Sequence, residues 1–121
     1  MIKLISLLVR PSEMTKADFL YAWRVEHAEM ALSVPGIRKF VLNIILKEPS
    51  RADVPDYPFT CDGIAEIWFD DEEQMKDVLA SEALKRFRAH GATFIGSIKA
   101  FLVEEQIVIS GEESRLPLPT A

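Results

Sequence analysis

Apolar positions in the first ten residues fall on both alternating sides of an extended chain. Ile2, Leu4 and Leu8 share one side, and Ile5, Leu7 and Val9 share the other. A strand with this pattern is covered on both faces. Pro11 ends it, and Thr15-Lys16-Ala17-Asp18 has the spacing of a helix-start capping box, which predicts a helix from about Lys16 to Leu32. Within that helix Phe19, Trp23 and Met30 form one stripe, with Leu20 and His27 on the same side, so this face points inward. Pro35-Gly36 closes the helix, and Ile37 to Leu46 reads as a second strand. The stretch from Lys47 to Cys61 carries Pro49, Pro55 and Pro58 and holds no regular structure. Asp62 to Phe69 is a third strand. Asp70 or Asp71 then caps a helix running through Leu79, with Glu72 and Glu73 favourably placed in its first turn. Ser81 starts a further helical segment to about His90, punctuated by Gly91 and Gly96, and Ala100 to Ile109 supplies a fourth strand. From Ser110 a polar tail with Pro117 and Pro119 is expected to add nothing to the core.

The order strand, helix, strand, strand, helix, strand is the ferredoxin-like βαββαβ pattern of an α+β fold: a four-stranded antiparallel sheet with helices on one face. It makes one domain of residues 1–109 and a tail of residues 110–121. Helices enough for one face cannot cover strands that are apolar on both. The economical cover for a chain this short is a second copy, giving a twofold homodimer with its sheets packed face to face.

Composition narrows the chemistry. The 121 residues are 49% hydrophobic and 27% charged, the balance of a soluble globular domain. The net charge of −5, from 14 Lys+Arg against 19 Asp+Glu, comes without any basic run, which argues against nucleic acid as a partner. Cys61 stands alone and forms no intrachain disulfide; with His27 and His90 it makes too small a set for structural zinc, and no metal is expected. No apolar stretch reaches the roughly 20 residues of a membrane span. The amino terminus lacks a secretory cleavage signal, so a cytoplasmic location without membrane contact is the expectation. Neither a Gly-rich phosphate loop nor a Ser–His–Asp signature is present.

His27, one helical turn after Trp23 on the inward face, is the candidate acid–base group. On spacing alone, an isolated inward histidine is more often a hydrogen-bonded core residue than a catalyst. Glu66 lies inside the apolar run Ile64-Ala65-Glu66-Ile67-Trp68-Phe69, where a buried carboxylate is paired or protonated. It is either a proton-transfer partner for His27 or half of an ion pair across the sheet. Asp53, Asp56 and Tyr57 sit in a Pro-braced segment too long for a simple turn, the kind of loop that often binds ligands. Trp23, Phe40, Trp68, Phe87 and Phe94 serve either a pocket or the core. Cys61 has no activating base near it in sequence.

The motif Phe19-x3-Trp23-x3-His27, followed by Pro35-Gly36, then Asp62-Gly63-Ile64-Ala65-Glu66-Ile67-Trp68-Phe69-Asp70-Asp71, Phe94 and Val103-Glu104-Glu105, resembles the EthD family of dimeric α+β barrel proteins over residues 1–109. The resemblance implies a ferredoxin-like subunit, a back-to-back homodimer and a cleft between helices and sheet. Family members include proteins encoded with an ether-degrading cytochrome P450 system, fungal dehydratases, and methylmuconolactone methylisomerases acting on a small lactone without cofactor. The overall pattern is most similar to the last group. His27 falls on their helix histidine, which favours its functional reading. Where those isomerases carry a Tyr, a loop His and a strand Cys, this chain has Phe40, Asp53 and Ile67.

The implied function is a cofactor-independent isomerase or lyase in the catabolism of organic compounds, moving a proton on a small lactone, an aromatic-derived acid or a polyketide-like substrate. His27 would be its acid–base group, with Asp53 and Glu66 as further catalytic candidates. Trp23, Phe40, Tyr57, Ile67, Trp68 and Phe94 are the candidate substrate-binding residues. A functional His27 should line a helix–sheet cavity of about 300 Å³ or more. The alternative is a non-catalytic accessory or ligand-binding dimer in an ether- or aromatic-degradation pathway. A third reading, with His27 as a haem ligand, borrows from other dimeric barrels.

Overall fold

A computed structural model of the chain describes residues 1–111, so the expected tail from residue 112 onward lies outside the described residues. Its elements are β1 (Ile2–Val9), α1 (Lys16–Tyr21), a π-helical segment (Ala22–His27), α2 (Ala28–Ala31), β2 (Lys39–Asn43), β3 (Gly63–Phe69), α3 (Glu72–Leu79), α4 (Glu82–Gly91) and β4 (Ser97–Glu104). The strands form one sheet in the order β2-β3-β1-β4 with every neighbouring pair antiparallel. This is the ferredoxin-like α+β arrangement expected from the order of elements.

Local chemistry sets the helix starts. The Thr15 hydroxyl accepts from the Asp18 amide at 3.1 Å, the Asp71 carboxylate from the Gln74 amide at 2.8 Å, and the Ser81 hydroxyl from the Leu84 amide at 3.2 Å. Each satisfies a donor that the first turn leaves without a partner. Gly36 turns the chain out of the first helix at φ 93°, a backbone conformation that side chains disfavour.

Two strands, β2 and β4, differ in extent from the sequence reading, and β2 starts at Lys39 rather than Ile37. β2 ends at Asn43 rather than Leu46, where the Asn43 amide side chain donates to the Ile64 carbonyl at 3.0 Å. β4 begins at Ser97 rather than Ala100 and stops at Glu104 rather than Ile109. Its extent is that of β1: Ser97 pairs with Val9 and Glu104 with Ile2, beyond which β1 offers no partner.

The first helix also departs from a plain α-helix. Its buried residues are Phe19, Trp23, His27 and Ala31, a constant spacing of four, while Met30 is only half-buried. Steps of four residues drift around an α-helix, whose turn takes 3.6 residues. The wider π turn over Ala22–His27 offsets that drift and keeps all four side chains aimed at the sheet.

The sheet has two unlike faces. Leu4, Ser6, Leu8, Phe40, Leu42, Ala65, Ile67 and Phe69 face the helices. On the other face, which carries no helix, Lys3 bridges Glu66 at 2.8 Å and Glu105 at 2.9 Å, and the Trp68 ring lies between the Lys3 and Lys39 ammonium groups. Ile5, Leu7, Val41, Ile64, Phe101 and Val103 share that face by strand alternation.

At Gly63 a Cβ would stand 2.5 Å from the Trp23 ring, so only glycine lets the fully buried indole lie across the start of β3. Gly63→Ala is expected to destabilise the fold by about 1–3 kcal/mol, measured by urea unfolding, because the added methyl must push the Trp23 ring out of its packed position.

Candidate active site

Between helices and sheet lies a cavity of about 410 Å³. Its floor comes from β1, β2 and β3 through Leu4, Ser6, Phe40, Ala65 and Ile67, and its roof from Trp23, His27, Phe87 and Arg88. The wall is almost wholly apolar, with the His27 imidazole set into it.

His27 is 6% exposed. Phe87 stacks on its ring at a centroid distance of 3.8 Å and an interplanar angle of 18°, and Phe94 meets it edge-on at 5.0 Å. Gly91 passes close by: a side chain there would begin 3.4 Å from Cε1. The Nδ1 atom lies 2.9 Å from Nδ1 of His90, so a single proton is shared between the two rings. Among the described residues no buried side-chain nitrogen or oxygen lacks a partner. His27 Nε2, which has no protein partner there, is therefore open to the cavity.

Burial, and after it the neighbouring His90, pushes the His27 pKa from 6.5 down to about 4. The ring is neutral at pH 7 and keeps a lone pair, the state a proton acceptor requires.

The structure brings together only part of the expected site. Trp23, His27, Phe40 and Ile67 line one cavity. Phe94 is fully buried behind His27 and supports it from outside the wall. Glu66 and Trp68 lie on the opposite face of the sheet. There Lys3, with help from Asn43, holds the Glu66 carboxyl below its ordinary range, and the Trp68 indole donates to Glu105 at 3.3 Å. Glu66 is thus the cross-strand ion pair, separated from His27 by the sheet. Asp53 is exposed in the loop and paired with Arg51 at 2.8 Å, which keeps its carboxyl low. Asp53 and Asp56 edge shallow depressions formed by the loop itself, and Tyr57 is 85% exposed there. Burial raises the Cys61 thiol pKa, leaving it protonated.

Two residues that touch the site had no place in the sequence reading. His90 enters that reading only in the count of possible zinc ligands. The spacing Phe87, His90, Gly91 and Phe94, at three and four residues, was the signal that it borders the inward stripe of the second helical region. Arg88, exposed at the cavity rim, carries no such signal.

A group held neutral by burial makes stability depend on pH. Because the folded state resists protonation of His27 between pH 6.5 and about 4, the unfolded chain binds more protons in that window, and stability falls as the pH drops through it. The expected loss traceable to His27 is up to about 3 kcal/mol. Urea unfolding of the wild type and of His27→Gln at pH 7 and pH 4.5 measures it, and the variant should show the shallower dependence.

The family model described as methylmuconolactone methyl-isomerase matches residues 1–109. The chain is 33% identical over 108 residues to a protein of Pseudomonas reinekei named 4-carboxymethyl-4-methylbutenolide mutase, covering 88% of this chain and all of that one. Among solved structures, an EthD family protein from Bacillus halodurans superposes with a TM-score of 0.70 at 23% identity, covering 88% of this chain and 99% of that chain. A dimeric ferredoxin-like protein from Thermobifida fusca does so with a TM-score of 0.64 at 13% identity, covering 84% and 88%.

Proposed function

The chain belongs to the methylmuconolactone methyl-isomerase family, and from that membership and the His27 cavity we propose that it is a cofactor-independent isomerase moving a proton on a small lactone acid. The observation that carries this reading is the open Nε2 of a neutral histidine facing a cavity of about 410 Å³. That volume suits a single small ring with a short side chain.

His27 is the one acid–base side chain in the cavity wall among the described residues, since Phe40 and Ile67 occupy the positions where the isomerases of the resemblance carry a Tyr and a Cys. One base implies a one-face reaction. Nε2 takes a proton from the carboxymethyl carbon as the lactone C4–O bond breaks to a ring-opened diene, and His27 delivers a proton to C2 as the carboxymethyl carboxylate closes a new lactone on C3. Arg88 is the only fully charged side chain of the wall, and no ion pair occupies it among the described residues. It supplies a fork for a carboxylate at the rim. An anion held there also favours protonated His27, strengthening a base that burial alone leaves weak.

The sheet face without helices is the proposed homodimer seam. Its apolar residues Ile5, Leu7, Phe101 and Val103 surround the Lys3–Glu66–Glu105 cluster. Sedimentation at micromolar concentration should give twice the 13.7 kDa chain mass. Leu7→Lys should yield a folded monomer, because Leu7 points away from the helices; a wild-type monomer contradicts this seam.

Incubation with 4-carboxymethyl-4-methylbutenolide, the compound in the relative's name, followed by proton NMR, tests the activity. Wild type should isomerise it. His27→Asn should keep its fold and lose turnover on the order of 10²-fold. A largely apolar cavity also favours a second reading, a ligand-binding dimer. In that case wild type and His27→Asn would both bind the lactone and neither would convert it.

A further inference from the structure

We propose that His90 is a positioning residue for His27: it fixes the tautomer that bares Nε2 to the cavity and passes protons between His27 and the surface, where Glu26 receives them. The proposal rests on the reading of His27 as the proton-transfer group.

The two Nδ1 atoms, 2.9 Å apart, hold one proton between them, and the outer end of the pair decides which ring owns it. His90 Nε2 faces the Glu26 carboxylate at 3.9 Å, and the His90 side chain is 24% exposed to water. Carboxylate and solvent both stabilise a proton on that outer nitrogen. Nδ1 of His90 is then the acceptor and Nδ1–H of His27 the donor, which leaves the lone pair of His27 on Nε2. Phe94 contacts both imidazoles, and the two rings lie within 20° of parallel, so packing holds the pair in register. The charged or titratable groups around the pair are Glu26 from the π segment and Arg88 from α4. The sheet residues lining the same cavity, Ser6, Phe40, Ala65 and Ile67, carry no charge.

The transfer balances. Nε2 of His27 bonds the proton leaving the ligand, the His27 Nδ1–H bond breaks as His90 Nδ1 takes that proton, and the Nε2 proton of His90 departs to Glu26 or water. Both rings end neutral in their other tautomers, the ligand carries the negative charge, and the reverse sequence resets the site.

Two-bond proton–nitrogen NMR correlations on the full-length 15N-labelled chain at pH 7 read which imidazole nitrogen is protonated. The expected pattern is a proton on Nδ1 of His27 and on Nε2 of His90; a proton on Nε2 of His27 would overturn the assignment. His90→Asn keeps an acceptor beside His27 but cannot pass a proton on. It should preserve the His27 signature and lower kcat for the butenolide about tenfold or more, with KM unchanged. His90→Leu should lose the signature as well. Wild-type kcat in His90→Asn would refute the relay. Absence of turnover in the wild-type chain would refute the isomerase reading instead, and the His27 signature in wild type and His90→Leu would still decide the tautomer role.

Discussion

A histidine ring withdrawn from water must be neutral and must find partners for its nitrogens. In this fold His27 is given a partner on one side only. The surrounding structure serves that arrangement: Phe87 stacks on the ring, the bare backbone of Gly91 lets α4 approach its edge, and His90 takes Nδ1. Nε2 is left open to a cavity that no other acid or base enters among the described residues. The π segment places His27 there, since without its wider turn the four-residue steps from Phe19 to Ala31 would rotate the imidazole away from the sheet. Such π turns recur at functional sites, and this one ends on the candidate base.

The sheet keeps two kinds of electrostatics apart. Toward the helices it presents Leu4, Ala65 and Ile67, a medium in which an imidazole stays uncharged. Away from them it presents Lys3, Glu66 and Glu105, three charges that satisfy one another. Period-two alternation along β1 and β3 does this with adjacent residues: Ile67 lines the cavity while Glu66, one position earlier, belongs to the opposite surface. Each partner of the Lys3–Glu66 bridge pulls the other further toward its charged form, so this carboxylate is committed to the ion pair.

Much of the fold was legible because its signals are local. Thr15, Asp71 and Ser81 announce helix starts by their own capping chemistry, and the order of elements then leaves few topologies. The strand ends were less legible, since β4 is as long as β1 allows, a fact held in a partner about a hundred residues away. The site was read in part. His27, Trp23, Phe40 and Ile67 were placed by periodicity and resemblance together. The four-residue spacing of Phe19, Trp23, His27 and Ala31 was present in the sequence, but an α-helical template put Met30 in place of Ala31. Glu66 was ambiguous for a physical reason: a strand apolar on both sides does not say which parity faces the helices. His90 meets His27 across 63 residues: the spacing of Phe87, His90, Gly91 and Phe94 puts it beside the inward stripe but does not encode that contact.

The central claim is that a neutral His27 exchanges a proton with a ligand in the cavity. Its most direct measurement is deuterium incorporation into 4-carboxymethyl-4-methylbutenolide incubated with the wild-type protein in D2O, read by NMR at the carbons next to the carboxyl group and the lactone carbonyl. The account predicts incorporation that requires His27 and falls at acid pH as His27 becomes protonated. A lactone that binds in the cavity yet keeps every C–H proton would contradict it.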